Sequence, residues 1–157
     1  HAAECTAFLA PYVNSYKRFC TGMFAPTKAV WSCDNRTAGF RVCGADTNAV
    51  RVECRIPGSD ANPYLACAAL LAAGLAGIGG GYDLEPELTG DMYRAEGIRE
   101  IPKTLRDAAV ALDGSAMLRA AFGSEVIDHY LHAARWEIAE TDRVVTDFEL
   151  QRLLERA

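Results

Sequence analysis

The spacing of apolar residues changes period near residue 60. Before it, three short segments read as strands, at residues 28–32, 38–43 and 49–56, separated by Asp, Asn and Gly. In the third, Val50, Val52, Cys54 and Ile56 alternate with Arg51, Glu53 and Arg55, so period two sends the two sets to opposite faces. A short helix over residues 2–10 precedes them and stops at Pro11. After residue 60 the period is helical. Asn62 is set to cap a helix with Pro63 in its first position, where the missing N–H costs nothing. That helix is apolar all round, which predicts burial in the interior. Residues 82–101 carry no periodicity. Amphipathic helices are expected over 103–112, 116–122 and 124–140. The run Thr146-Asp147-Phe148-Glu149 is a capping box opening a last helix with Phe148, Leu150, Leu153 and Leu154. Strands followed by helices make the predicted fold α+β, with three short antiparallel strands and a helical C-terminal half.

Composition narrows the class. A chain of 157 residues that is 50% hydrophobic has enough apolar surface to offset the entropy of ordering, so it is not a disordered tail. Its six cysteines (Cys5, Cys20, Cys33, Cys43, Cys54, Cys67) form no CxxC pair and stop at residue 67. They read as small, reduced core residues of a cytosolic protein rather than a disulfide frame. No basic flank and apolar run of a signal peptide opens the sequence. The uncharged stretch between Asp60 and Asp83 has a periodic part only from residue 64 to 78. At ~1.5 Å per residue this reaches about 22 Å, short of a bilayer core.

The formal net charge of −5 argues against a general nucleic-acid binder. It is unevenly placed. Residues 1–56 hold seven bases (Lys17, Arg18, Lys28, Arg36, Arg41, Arg51, Arg55) and four acids (Glu4, Asp34, Asp46, Glu53), net +3, leaving −8 for the rest. An arginine-rich third on an acidic chain suggests a local anion site; a salt-bridged surface is the alternative. Arg51-x-Glu53-x-Arg55 is the sharpest feature, because one strand face would set a carboxylate between two guanidinium groups. Arginines hold phosphate or carboxylate oxygens through paired N–H donors, and a carboxylate can ligate Mg²⁺ or Mn²⁺. A solvated strand face with ion pairs is the competing reading. Arg36 and Arg41 extend the same floor if their strand pairs with it; otherwise they belong to a turn and a surface. On the 124–140 helix, Ile127, Leu131, Ala134 and Ile138 form one stripe, opposite Glu125, His129, His132 and Trp136. A Glu/His/His metal set lacks a fourth ligand, and a buried or interface face accounts better for Trp136.

The order of motifs resembles the glutamine synthetase family. Asn14-Ser15-Tyr16-Lys17-Arg18 is followed by Ala25-Pro26, Trp31-Ser32-x-x-Asn35-Arg36, Phe40-Arg41, Arg51-Val52-Glu53-Cys54-Arg55 and Asn62-Pro63-Tyr64-Leu65-Ala66. Tyr82-Asp83-Leu84 and the Glu100-Ile101-Pro102 segment continue the likeness across the whole chain. The resemblance implies a cytoplasmic ATP-dependent ligase of nitrogen metabolism, which phosphorylates the γ-carboxylate of L-glutamate and lets an amine or ammonia displace the phosphate. It implies that Arg18 and Arg55 hold glutamate, that Arg36 reaches both glutamate and the transferring phosphate, that Arg41 and Arg51 lie on the ATP side, and that Glu53 ligates Mg²⁺ or Mn²⁺. It implies a homo-oligomer of stacked rings, gripped through a segment like residues 148–154, and no nucleic-acid or membrane partner. Fixed positive charge where anionic oxygens crowd is what phosphoryl transfer requires.

Three positions depart from the family pattern. Phe24 stands where the family's flap loop carries a Glu that helps deprotonate ammonium, Asn48 replaces a lysine, and Thr21-Gly22 replaces Pro-Gly. Such changes resemble the γ-glutamylamide and γ-glutamylpolyamine synthetase branch, whose acceptors are larger amines. The 157 residues are expected to be the C-terminal part of the catalytic domain, without the β-grasp domain and the earlier catalytic segments, and inactive alone. A noncatalytic binding or assembly module of the same fold, and an independent phosphate-binding α+β domain, are the alternatives.

Overall fold

A computed structural model describes residues 1–156. The chain opens with helix α1 (Ala2–Leu9) and a 3₁₀ turn (Val13–Arg18), and then forms strands β1 (Trp31–Cys33), β2 (Phe40–Cys43) and β3 (Arg51–Cys54). Five helices follow: α2 (Pro63–Gly79), α3 (Leu105–Asp113), α4 (Ala116–Phe122), α5 (Ser124–Asp142) and α6 (Asp147–Leu153). The α+β class is as expected. The helix starts follow from their caps. Asn62 Oδ1 accepts from the backbone N–H groups of Tyr64 and Leu65 at 3.0 and 3.4 Å, and Thr104, Ser115 and Thr146 each cap the helix they precede. At α6 the box is complete, with Glu149 reaching back to the Thr146 N–H at 2.8 Å.

The sheet has order β1-β2-β3, but only β2 and β3 are antiparallel; β1 and β2 run parallel, with Ser32 opposite Arg41. A short connection ordinarily returns the chain antiparallel. Here Asp34 turns it at φ 48, and Gly39 lets it pass over Lys28, three residues before β1. A Cβ on Gly39 would stand 2.6 Å from the Lys28 carbonyl oxygen, a distance that no side chain tolerates.

The core joins α1, α3, α4 and α5 around Leu9, Leu105, Leu112, Leu118, Ile127 and Leu131, all fully buried, and extends to Ile56 just past β3. The α5 stripe of Ile127, Leu131, Ala134 and Ile138 is buried as its spacing predicts. Helix α2 departs from expectation. Of its residues only Ala66 and Ala69 are buried, while Tyr64, Leu71, Leu75 and Ile78 are exposed. Small side chains let it lie close to α1 and α4 on one side, and nothing among the described residues covers the other. Val50 and Val52 of the strand's apolar face are exposed too, and only Ile56 of that set is fully buried. The cysteines are free, but only Cys5 and Cys43 are buried; Cys20, Cys33 and Cys67 face solvent, so the all-core reading holds for a minority. No helix is long and apolar enough to cross a membrane, among the described residues.

Candidate active site

The register of β2 and β3 builds the site. Arg41 and Glu53 are direct cross-strand partners, and Arg55 lies two residues further on the same face. Glu53 therefore sits between two guanidinium groups: Arg41 Nη1 donates to Oε2 at 3.3 Å and Arg55 Nη1 to Oε1 at 2.9 Å. The carboxylate is bracketed as the sequence suggested, except that Arg41 of the neighbouring strand takes the place expected of Arg51. Arg51 shares the face but stands at its outer end, exposed, with its guanidinium on the carbonyl of Ala49 at 3.3 Å. A second carboxylate, Asp34, receives Arg41 Nη2 at 3.0 Å. Desolvation works against the charge on Arg41, but the hydrogen bonds to Glu53 and Asp34 outweigh it and raise its pKa.

Arg55 also fixes backbone. Its Nε donates to the carbonyl of Arg36 at 2.9 Å and its Nη2 to that of Phe24 at 3.0 Å. One side chain thus ties the strand to the turn bearing Arg36 and to the end of the Thr21–Phe24 loop. Arg36 itself is exposed, and its guanidinium has no carboxylate or carbonyl partner among the described residues. It is a free cation at the rim.

Arg18 enters from the 3₁₀ turn. Its Nη2 and Nη1 donate to the carbonyls of Ile56 and Pro57 at 2.5 and 3.4 Å, and its guanidinium lies 5.3 Å from the centre of the Phe19 ring. Gly58 makes room: a Cβ there would come within 3.0 Å of the guanidinium carbon. The turn is pinned by Ser15, whose hydroxyl donates to Asp60 Oδ2 at 2.6 Å. The Nε atoms of Arg18 and Arg41 are buried without a hydrogen-bond partner.

These residues line two adjoining hollows. One of about 380 Å³ is bounded by Phe24, Arg36, Arg41, Glu53 and Arg55. The other, of about 390 Å³, has Arg18, Met23 and Ala25 in its wall and shares Phe24, Glu53 and Arg55 with the first. The structure thus brings Arg18, Arg36, Arg41, Glu53 and Arg55 together and leaves Arg51 outside. Phe24 takes a left-handed φ of 55 and is largely exposed, so its ring stands at the mouth of both hollows.

Glu53 is the one carboxylate lining the hollows, and among the described residues no three His, Cys, Asp or Glu side chains stand together as a metal site. Mg²⁺ demands octahedral oxygen ligation. Glu53 fits as one ligand, but the residues present do not hold such an ion by themselves. Glu125, His129 and His132 on α5 are exposed and form no such group either; Trp136 is 59% exposed, which excludes the buried alternative for that face and leaves the interface one untested. Sequence reasoning missed Tyr93, whose hydroxyl donates to the carbonyl of Ala25 at 2.9 Å from the segment without periodicity.

A hollow walled by guanidinium groups around one carboxylate has the donors to hold anionic oxygens. Comparison with known proteins gives the family. The family described as glutamine synthetase, catalytic domain, matches residues 1–153, and the chain belongs to it. It is 47% identical over 153 residues to a gamma-glutamylethanolamide synthetase of Streptomyces coelicolor, covering 98% of this chain and 33% of that protein. It is 37% identical over 156 residues to a glutamate–isopropylamine ligase of a Pseudomonas species (98% and 34%), and 42% identical over 164 residues to glutamine synthetase of Mycobacterium tuberculosis (98% and 37%). Among solved structures, GmaS in complex with ADP superimposes with a TM-score of 0.85 at 33% identity, covering 99% of this chain and 37% of that one. The chain spans about a third of the length of the curated relatives it matches.

Proposed function

We propose that this chain carries the arginine half of the active site of an ATP-dependent glutamate–amine ligase. The observation that carries the reading is the convergence of Arg18, Arg36, Arg41 and Arg55 on hollows that share Glu53. Arg18 and Arg55 hold the carboxylates of glutamate. Arg36, the unpaired cation, spans the γ-carboxylate and the phosphoryl group in transit. Arg41 faces the ATP phosphates, with Arg51 beyond the rim on the same side. In the first step a γ-carboxylate oxygen attacks the γ-phosphorus and ADP leaves, giving γ-glutamyl phosphate. In the second, the amine attacks the acyl carbon, loses a proton and expels inorganic phosphate. Guanidinium groups already fixed by Glu53, Asp34 and backbone carbonyls stabilise the crowded oxygens without reorganising. A divalent cation would draw one ligand from Glu53.

The acceptor is a larger amine. Two relatives bear names that state ethanolamide and isopropylamine chemistry, and Phe24 offers an apolar ring at the mouth in place of a proton-accepting carboxylate. The proposed assembly is a homo-oligomer, supported by the exposed Phe148, Leu150, Leu153 and Leu154 on and after α6. None of the relatives named above favours a noncatalytic module.

The test is phosphate release by the full-length gene product with ATP, glutamate and a panel of amines. Release that depends on both glutamate and an alkylamine supports the reading; ATP turnover indifferent to glutamate overturns it. Phe24→Glu should shift acceptor preference toward ammonia, and no gain in ammonia use would remove the support from the acceptor reading.

A further inference from the structure

The segment between α2 and α3 looks unstructured in sequence, yet Gly90–Tyr93 makes four specific contacts with the site. Asn35 Nδ2 donates to the carbonyl of Gly90 at 2.7 Å. The N–H of Met92 donates to Thr37 Oγ1 at 3.0 Å, and Thr37 in turn donates to Asn35 Oδ1 through its N–H at 3.0 Å and its hydroxyl at 2.7 Å. The Met92 side chain is buried with Val30 and Ala38 at the root of the same turn. Arg36 is thus held from both sides, by Asn35 and Thr37 on one and by Arg55 at its carbonyl on the other.

From that anchored base Tyr93 reaches across to the loop end. Asp91 Oδ1 accepts from the Tyr93 N–H at 3.0 Å and sets its backbone, and the phenol donates to the carbonyl of Ala25 at 2.9 Å. The preceding carbonyl, that of Phe24, is held by Arg55 at 3.0 Å. Two successive carbonyls are therefore pinned by two side chains from different segments. The residues before them are exposed and include Gly22 at φ 87, and among the described residues no other hydrogen bond from a distant segment reaches the loop 21–24.

We propose that Tyr93 is a positioning residue, whose hydroxyl sets the backbone at Ala25 and thereby the placement of the Phe24 ring at the mouth of the site. Its effect on catalysis rests on the ligase reading above; its effect on the loop does not. Burial raises the Tyr93 pKa, and the charge of Arg55 pulls against that rise, which places the phenol and the guanidinium in one electrostatic neighbourhood.

Tyr93→Phe keeps the ring and removes one donor. In the full-length gene product two readouts decide. Hydrogen exchange of the segment 20–26 should quicken by about fivefold, the value of one net hydrogen bond, with only a slight fall in melting temperature. The KM for an alkylamine should rise by about the same factor while the KM for ATP and kcat stay put. Unchanged exchange in 20–26 overturns the proposal whatever the activity. A fall in kcat with every KM unchanged also overturns it, because loss of folded enzyme alone would produce that pattern. Should the wild-type protein show no amine ligation, the ligase reading fails, and the exchange measurement still decides whether Tyr93 sets the loop.

Discussion

The helical half and the sheet half are built on different terms. Helices α1, α3, α4 and α5 close on each other: their apolar stripes are buried, and their surfaces are laced by pairs such as Arg119 with Asp113 and Asp128, both at 2.8 Å. The sheet half has strands of three and four residues, an apolar face left open at Val50 and Val52, and a polar face crowded with arginine. There, order comes from side chains bonding backbone: Arg55 holds residues 24 and 36, Arg18 holds 56 and 57, and Tyr93 holds 25. Stability and chemistry are thereby separated. A packed helical body carries a thin sheet whose charged groups are fixed by hydrogen bonds.

Substitutions that respect this division should affect one property and spare the other. Leu131→Ala, in the closed half, should cost about 3 kcal/mol of stability in denaturant unfolding and leave substrate KM values alone. Glu53→Ala should do the reverse, cutting turnover of the full-length gene product by about a hundredfold while its fold survives. Retained turnover with unchanged metal dependence would show that Glu53 is only a surface ion pair. Thr146→Ala removes the hydroxyl half of the α6 capping box, leaving the backbone N–H to Glu149, and should cost about 1 kcal/mol, read as lost helicity of the C-terminal turn. The smallest effect is electrostatic. Lys103 and Lys28 hold Glu100 down to about 2 from 4.5, so its contribution to stability is complete above pH 4.5 and is lost as pH falls toward 2. Because Glu100 is partly exposed, that contribution is small. Glu100→Gln should flatten the acid limb of a stability–pH curve by lowering its neutral plateau slightly, with stability below pH 2 unchanged.

What sequence could reveal follows the same division. The helix starts at Asn62 and Thr146 were legible because caps are local signals, and the α5 stripe because its period is local. The cluster of Arg18, Arg36, Arg41, Glu53 and Arg55 was legible through motif order. Pairing was less so. Parallel β1 and β2 depend on a close pass of Gly39 over Lys28, and the exchange of Arg51 for Arg41 beside Glu53 depends on register, neither of which alternation reveals. The exposure of α2 was illegible for another reason: an apolar helix predicts a cover without saying whether these residues supply it. Tyr93 was hidden because its contact spans 68 positions and its segment has no period.

The central claim is that a free guanidinium at the rim meets the phosphoryl group. Arg36→Ala in the full-length gene product tests it most directly, by glutamate-dependent phosphate release beside Arg51→Ala as the arginine outside the hollow. The expected result is a loss of about a hundredfold or more for Arg36→Ala, a far smaller one for Arg51→Ala, and no change in melting temperature for either. Equal, slight losses in both would contradict it.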